Sequence, residues 1–331
     1  MKGIIVGFGS IGKRHCKNII NNSKNEVLLC TNQKGLKLTK SPKVTRLSSL
    51  EKCLEHKPEI AFICDVTSEH VNTAIKLAKN NCHLFIEKPL SNSLHNIKKL
   101  VGIIEKKKLI TFMGFNLRFH PCVKKIRQMV LDNKIGDVLY VEVENGSYLP
   151  NWHKQEDYRT SYAGKKDLGG GVVLTLLHEI DYLYWILGDV ISVNATTAKL
   201  SNLDIDTEDF ASILLKFQNK TIAHVQLNYF QKIPTRTCKF VGTKGILFCD
   251  INKNIIEFNN YKKKRSVTIM NLKKYNINRS YVDEISHFIK CIKNKKKSIN
   301  DIYQGITTLK IALAILKSSK TNKMVQIEKH S

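Results

Sequence analysis

Residues 4–15 of this 331-residue chain read IIVGFGSIGKRH. The stretch begins with three β-branched residues typical of a strand and continues through Gly7, Gly9 and Gly12 into a helical pattern. In such a unit the first glycine permits a tight turn, the second lets the backbone approach a diphosphate, and the third lets helix and strand pack closely. The N-terminus of the helix offers free N–H groups to phosphates. The stretch therefore predicts a dinucleotide-binding βαβ unit.

The end of the second predicted strand bears on the choice of dinucleotide. It reads Cys30, Thr31, Asn32, Gln33, Lys34 and lacks the acidic residue that commonly binds the ribose hydroxyls of NAD. Lys34 could meet the 2′-phosphate of NADP, or it could simply be exposed, so the pattern favours NADP over NAD only slightly. The residues expected to contact NAD(P) are Gly7, Gly9, Ser10, Ile11, Gly12, Thr31, Asn32, Lys34, Glu87 and Lys88.

The order of predicted elements indicates an α/β protein with two domains. Strands alternate with helices over residues 1–120, which predicts a Rossmann domain with a doubly wound parallel sheet. In residues 121–331 several strands follow one another between turn signals, which predicts an α+β domain with a large, open-faced, mostly antiparallel sheet. The two predicted helices at the end of the chain could pack back on the first domain.

The strongly basic composition raises the alternative of a nucleic-acid-binding protein. Lys and Arg number 54 against 28 Asp and Glu, which gives a net charge of +26. The basic residues are spread over the whole chain without interleaved aromatic side chains, so we expect no nucleic-acid partner. A positive field would instead favour anionic ligands such as a nucleotide cofactor or a nucleotide-linked sugar.

Membrane segments and cysteines add two further expectations. No apolar run approaches the roughly 18 residues of a membrane span, and the first strand begins without a preceding signal peptide. We therefore expect a cytoplasmic protein without a membrane partner. The nine cysteines are scattered and form no CxxC pair, so neither disulfides nor a metal site is expected.

A second informative motif, EKPL, occupies residues 87–90 at the end of a predicted parallel strand. Open α/β sheets bind their ligands beyond the carboxyl ends of such strands. A residue before proline adopts extended geometry, so Lys88 can direct its ammonium group towards a substrate oxygen.

Together with GFGSIGKRH at residues 7–15 and GGGVVLTLLHEID at residues 169–181, this motif resembles the glucose-fructose oxidoreductase, inositol dehydrogenase and MocA family. The order and spacing of the motifs agree over nearly the whole chain. The resemblance implies an NAD(P)-dependent oxidoreductase that transfers hydride between the nicotinamide and a ring carbon of a sugar or cyclitol. It also implies a homodimer or homotetramer, because the open sheet of family members often mediates subunit contacts.

The resemblance implies catalytic roles for Lys88 and His178. In family members the lysine contacts the reacting hydroxyl, its bond to proline is commonly cis, and the histidine takes part in proton transfer. The chemistry is reasonable, because alcohol oxidation needs a base with a pKa near neutrality and a positive charge beside the developing alkoxide. We expect the ammonium and the imidazole to meet at one substrate oxygen, although His178 could instead be a core histidine.

The residues near His178 in the sequence support more than one interpretation of its role. Asp181 lies three residues further along the predicted helix and shares its face, so it could line the substrate pocket, orient the imidazole or form a structural salt bridge. Many family members carry an aspartate three or four residues before this histidine, where this chain has Leu174 and Thr175. This departure supports one alternative: a catalytically impaired dinucleotide-binding regulatory or scaffold protein.

Further substrate contacts are expected in two segments. GFNLRFHP at residues 114–121 places Arg118 where it could hold a carboxylate or phosphate, or tie the two domains together. The loop of residues 148–167 mixes aromatic and hydrogen-bonding side chains, as sugar sites often do. Resemblance to members of surface-polysaccharide and nonulosonic-acid pathways favours an amino sugar or nucleotide-linked sugar as substrate. The expected substrate-binding residues are Asp181, Thr175, Asn116, Arg118, Trp152, Tyr158 and Arg159.

Overall fold

The computed structural model describes residues 2–22, 26–31, 43–153 and 156–327. The chain divides into two compact units. Unit 1 comprises residues 1–116 and 278–307, and unit 2 comprises residues 117–277 and 308–331. Residues 278–307, which the sequence assigned to the second domain, therefore belong to unit 1.

The first part of the chain alternates strands with helices, as the sequence predicts. In chain order its elements are β1 (Gly3–Val6), α1 (Ser10–Asn22), β2 (Val27–Cys30), β3 (Val44–Leu47), α2 (Leu50–Glu55), β4 (Ile60–Ile63), α3 (His70–Lys79), β5 (His83–Ile86), α4 (Ile97–Lys107) and β6 (Thr111–Met113).

In the remaining part, seven strands from β8 to β14 follow one another directly, with helices before and after them. Its elements are α5 (Pro121–Leu131), β7 (Val138–Tyr148), α6 (Val172–Thr175), α7 (His178–Leu187), β8 (Val190–Ala198), β9 (Phe210–Phe217), β10 (Ile222–Asn228), β11 (Phe230–Gly242), β12 (Gly245–Asp250), β13 (Ile255–Asn260), β14 (Arg265–Asn271), α8 (Asn278–Lys293), α9 (Ile302–Thr321) and β15 (Val325–Gln326).

The sheet of unit 1 is parallel and has the order β3-β2-β1-β4-β5-β6. Its strands are short apolar runs, and residues such as Ile4, Ile5 and Phe85 are fully buried, as expected for a sheet covered on both faces. This strand order is the doubly wound Rossmann arrangement, which confirms the predicted fold class. The order reverses at β1, where such sheets bind ligands beyond the carboxyl ends of their strands.

Helix α8 belongs to unit 1 because its apolar face packs on the parallel sheet. Phe288 meets the ring of Phe62 at a centroid distance of 6.2 Å and that of Phe85 at 5.8 Å. Burial of such aromatic side chains contributes strongly to core stability. The helical periodicity predicted this helix, but periodicity does not show which sheet a helix covers.

The sheet of unit 2 has nine strands in the order β14-β13-β12-β11-β7-β10-β9-β8-β15. Within the described part of the chain, β7 and β10 pair in parallel and the other neighbours are antiparallel, so the sheet is mostly antiparallel, as predicted. Along β9, buried Ala211, Ile213 and Leu215 alternate with exposed Leu214 and Lys216, which leaves one face of the strand open.

No helix in the described ranges combines the length and the apolar character that crossing a bilayer requires.

Candidate functional site

The glycine turn after β1 has the geometry that its sequence predicts. Gly7 has φ +87°, and a Cβ there would lie 2.5 Å from the backbone nitrogen of Asp65. A Cβ on Gly12 would lie 2.2 Å from the carbonyl oxygen of Gly7. Only glycine satisfies both the positive φ and the close packing of α1 on the turn.

The same turn fits a diphosphate group. A Cβ built on Gly9 would meet no described heavy atom within 4 Å, so this backbone faces open space. Helix α1 begins at the exposed Ser10 and has no acidic residue in its first turn. The N–H groups of the first helical turn and the helix dipole therefore point towards a region that can receive an anion. Ile11 is partly buried and continues the turn into the helix.

The choice between NAD and NADP rests on the residues after β2. Thr31 is buried, and its backbone N–H donates to the carbonyl oxygen of Leu47 at 3.3 Å. Asn32 and Lys34, also predicted to contact the cofactor, lie outside the described residues.

Lys88 follows β5, at the same edge of the sheet as the glycine turn. Its bond to Pro89 is cis. The backbone N–H of Lys88 donates to Glu87 Oε2 at 3.3 Å, and Glu87, Pro89 and Leu90 are all buried. The side chain of Lys88 is partly exposed. A fixed backbone thus presents a cation at the ligand-binding edge of a Rossmann sheet.

Two residues outside the expected set of site residues support this turn, Asp65 and His70. His70 is buried, with Nδ1 2.8 Å from the carbonyl oxygen of Pro89 and Nε2 3.0 Å from that of Asp65. The Asp65 carboxylate accepts from Thr73 Oγ1 at 2.6 Å, and burial raises the pKa of this carboxyl. The imidazole therefore links the loop after β4 to the loop after β5. The signal was the segment DVTSEH at residues 65–70.

Unit 2 carries His178, the first residue of α7. His178 is partly exposed, whereas its chain neighbours Leu177 and Glu179 are fully buried. Glu179 accepts a hydrogen bond from Arg236 Nε at 2.7 Å, which anchors the start of the helix. Thr175, the last residue of α6, is buried. The imidazole is thus held on a well-packed helix start and still reaches the surface of the unit.

Arg118 and Asp181 are brought together by the structure, but as partners of each other. Arg118 Nε and Nη2 donate to the two carboxylate oxygens of Asp181 at 2.9 and 2.7 Å, and both side chains are fully buried. Thr308 Oγ1 donates to Asp181 Oδ1 at 3.5 Å. Burial raises the pKa of Asp181, and the charge of Arg118 opposes that rise. The geometry favours a structural salt bridge for both residues over the substrate contacts that the sequence suggested.

Asn116 also has a structural partner, because its side-chain amide donates to Ser280 Oγ at 2.9 Å inside unit 1. In the loop after β7, Trp152 Nε1 donates to Ser147 Oγ at 2.9 Å and its ring meets Tyr229 edge-on. The hydroxyl of Tyr158 accepts from the backbone N–H of Asp204 at 3.3 Å.

Arg159 pairs with Asp157 on the surface at 2.7 Å, and the guanidinium holds the pKa of that carboxyl below its usual value. Of these loop side chains, Trp152 and Tyr158 are partly exposed and Arg159 is exposed. They therefore remain accessible to a ligand.

The comparisons with known proteins agree with this architecture. Residues 1–115 match the oxidoreductase family with an NAD-binding Rossmann fold, and residues 123–248 match the GFO/IDH/MocA C-terminal domain. The chain belongs to the GFO/IDH/MocA family of oxidoreductases. The resemblance predicted from the sequence motifs is thereby confirmed, as is a Rossmann domain of the NAD-binding kind.

The individual relatives share low sequence identity with this chain. The chain is 27% identical to the uncharacterized oxidoreductase YrbE of Bacillus subtilis, covering 98% of this chain and 96% of that protein. It is 24% identical to a myo-inositol 2-dehydrogenase of Thermotoga maritima, covering 82% and 80% of the two chains. A levoglucosan dehydrogenase solved with NADH superimposes with a TM-score of 0.87 at 15% identity, covering 100% of both chains. This last likeness concerns the fold alone.

Proposed function

We propose that this oxidoreductase transfers hydride between the nicotinamide of NAD(P) and a secondary alcohol or ketone of a sugar. The observation that carries the proposal is the placement of Lys88 within unit 1. The glycine turn follows β1 and Lys88 follows β5, and both strands are neighbours of β4 in a parallel sheet. A dinucleotide seated on the turn and a cation suited to an alkoxide therefore share one edge of the sheet.

The proposed mechanism assigns charge stabilisation and proton transfer to two different side chains. When bound, the nicotinamide ring supplies the acceptor or donor of the hydride. Lys88 stabilises negative charge on the reacting oxygen, and His178 takes or returns the hydroxyl proton. Where many family members carry an aspartate, this chain has the buried Thr175, which can hydrogen-bond but carries no charge.

We further propose that the sugar is an amino sugar or a nucleotide-linked sugar. The loop bearing Trp152, Tyr158 and Arg159 offers aromatic faces and a cation, and the net charge of +26 favours anionic substrates. The relative named for myo-inositol supports a polyhydroxylated ring as the substrate class. The lack of an acid over residues 31–34 supports use of NADP as well as NAD.

A substrate screen tests these proposals. Purified protein is incubated with NAD or NADP and with free sugars, cyclitols, amino sugars and nucleotide-linked sugars, and the absorbance of the reduced nicotinamide is followed. We expect reduction with at least one amino or nucleotide-linked sugar, and a kcat/KM for NADP that equals or exceeds that for NAD. Dinucleotide binding without turnover on any member of the panel would contradict the proposed activity.

We also propose that the open face of the unit 2 sheet joins copies of the chain into a homodimer or homotetramer. By their strand pairing, Leu214, Ile222, Tyr140 and Phe248 share this face, and Leu214 is 47% exposed. Exposed apolar side chains grouped on one sheet face are typical of subunit contacts.

We expect Leu214→Glu to weaken self-association at least about tenfold, because a charge would be buried in the contact. Size-exclusion chromatography with light scattering measures this over a range of concentrations. Leu131→Glu is the matched control, since Leu131 is 60% exposed at the end of α5 and away from the sheet. A monomeric wild type, or equal effects of the two substitutions, would argue against this interface.

A further inference from the structure

Three ionisable side chains meet in the core of unit 1, behind the Lys88 turn. His15 comes from α1, Glu87 from the end of β5 and Glu284 from α8. Their exposed fractions are 0%, 7% and 0%, and one nitrogen or oxygen atom from each lies within 4.8 Å of the other two. Such a concentration of charge-bearing groups in a core needs a specific arrangement of protons.

The hydrogen bonds within the cluster distinguish the two carboxyl groups. Glu87 Oε1 lies 2.6 Å from His15 Nε2, and Glu87 Oε2 accepts from the backbone N–H of Lys88. With the imidazole proton on Nε2, both oxygens of Glu87 face donors, as suits a carboxylate. Among the described residues, neither buried oxygen of Glu284 has a hydrogen-bond partner.

The surroundings of Glu284 do not balance a second negative charge. Rings of Phe62, Phe85 and Tyr281 lie within 6.2 Å of the His15 ring, so the cluster is enclosed by apolar groups. Arg14 places its guanidinium over the Tyr281 ring and remains partly exposed. Two carboxylates this close in a buried site repel each other strongly, and the cluster has a single imidazole beside them.

The effects of burial and of neighbouring charges on the pKa values in this cluster also indicate that Glu284 is uncharged. Burial and the charge of Glu87 raise the pKa of Glu284 well above its usual value, and Arg14 opposes this rise. The thiol of Cys64 on the neighbouring strand end is buried, and burial raises its pKa as well, so it adds no charge.

We propose that Glu284 is a neutral carboxylic acid in the folded protein, that the His15–Glu87–Glu284 cluster holds one carboxylate charge on Glu87, and that this arrangement positions the Lys88 turn. Glu284 acts as a positioning residue, because one of its carboxyl oxygens lies within 4.8 Å of His15 and Glu87, and Glu87 accepts from the backbone N–H of Lys88. The functional half of this proposal rests on the proposed hydride transfer; the protonation half does not.

Infrared spectroscopy tests the protonation of Glu284 without any turnover. The difference spectrum between the full-length wild type and Glu284→Gln, recorded at neutral pH, is expected to show the carbonyl stretch of a protonated carboxyl group. Glu55→Gln, at an exposed glutamate on α2, is the control and should remove only ionised carboxylate bands. Glutamine has the shape of a neutral glutamic acid, so the variant should fold. Carboxyl NMR of isotope-labelled wild type gives the same measurement without a substitution.

Two outcomes would overturn the protonation of Glu284. One is a wild-type difference spectrum, or carboxyl NMR signal, that shows only ionised carboxylate at this position. The other is a divalent metal that co-purifies with the wild type, is removed by a chelator and is absent from Glu284→Gln. In that case a bound cation, rather than a proton, neutralises the cluster.

Kinetics tests the positioning role. Glu284→Ala should lower kcat about 10- to 100-fold through misplacement of the turn, with a smaller change in KM for the dinucleotide. Glu284→Gln, which keeps a neutral group of the same shape, should restore most of this loss. Equal impairment by alanine and glutamine, or none by alanine, would contradict the positioning role. If the substrate screen gives no turnover at all, the infrared result still decides the protonation.

Discussion

Replacement of Lys88 with alanine is expected to lower kcat about 10²- to 10³-fold while dinucleotide binding remains measurable. The ammonium group is proposed to stabilise charge that develops on the substrate oxygen only as hydride leaves, so its loss should act on turnover more than on binding. Steady-state kinetics with the best substrate from the screen, together with fluorescence titration of NADH or NADPH, separates the two effects.

The structure explains why Lys88→Ala should lower kcat without disturbing the fold. Glu87, Pro89 and Leu90 are buried around the lysine, and His70 lies 2.8 Å from the carbonyl oxygen of Pro89. These contacts fix the backbone of the turn without the lysine side chain. Alanine at residue 88 should therefore leave the fold and the glycine turn intact while removing the cation.

Two further variants sharpen the test. Lys98→Ala removes an exposed lysine at the start of α4 and should leave kcat unchanged. Lys88→Arg keeps the charge but replaces a compact ammonium with a planar guanidinium, so it should recover only part of the activity. A loss smaller than about tenfold in Lys88→Ala, or a loss that appears entirely in dinucleotide affinity, would exclude the proposed role.

Local signals in the sequence were enough to predict most of the fold. Strand, glycine turn and helix are adjacent in residues 4–22, and φ +87° at Gly7 is the geometry that its glycine signalled. Alternating strands and helices likewise predicted the parallel sheet. Strand β14 begins at Arg265, the last residue of a basic run over residues 262–265, and such a run of charges does not signal a strand. The parallel pairing of β7 with β10 depends on strand order, which period-2 patterns do not encode.

The candidate site was harder to predict because its partners are distant along the chain. An arginine after a strand can bind an anion, so the sequence suggests that Arg118 contacts the substrate. Its observed partner is Asp181. Nothing near Glu284 in the sequence indicates that it lies with His15 and Glu87, since the three residues belong to separate elements. Residue type identified the chemistry that these positions can perform. The tertiary fold decided which groups neutralise each other.

Replacement of Arg118 with alanine is expected to destabilise unit 2 by about 3–5 kcal/mol. The substitution would leave Asp181 fully buried without its counter-charge, and Thr308 alone of the described residues would still donate to its carboxylate. Both tryptophans of the chain, Trp152 and Trp185, lie in unit 2, so tryptophan fluorescence during urea unfolding reports on this unit. Arg159→Ala, which removes an exposed pair with Asp157, is the control and should leave the unfolding curve unchanged.

The pH dependence of this deficit has a defined sign. Burial raises the pKa of Asp181 and Arg118 opposes the rise, so without Arg118 the folded-state pKa moves higher still. In the unfolded chain the pKa of Asp181 has its ordinary value of 3.8. Above that pH, the variant must either take up a proton at Asp181 when it folds or bury a carboxylate that has no counter-charge. The deficit of Arg118→Ala should therefore grow as the pH rises above the raised pKa that Asp181 has in the folded wild type, and shrink in acid.

A double substitution distinguishes an unpaired charge from lost packing. Arg118→Met with Asp181→Leu removes both charges and keeps apolar volume in the core, so it should recover most of the stability and abolish the pH-dependent part of the deficit. If Arg118 served mainly as a packing group against Trp185, whose ring centroid lies 5.6 Å from the guanidinium, the alanine variant would show a deficit independent of pH. That result would remove the salt bridge as the reason for burying these two residues.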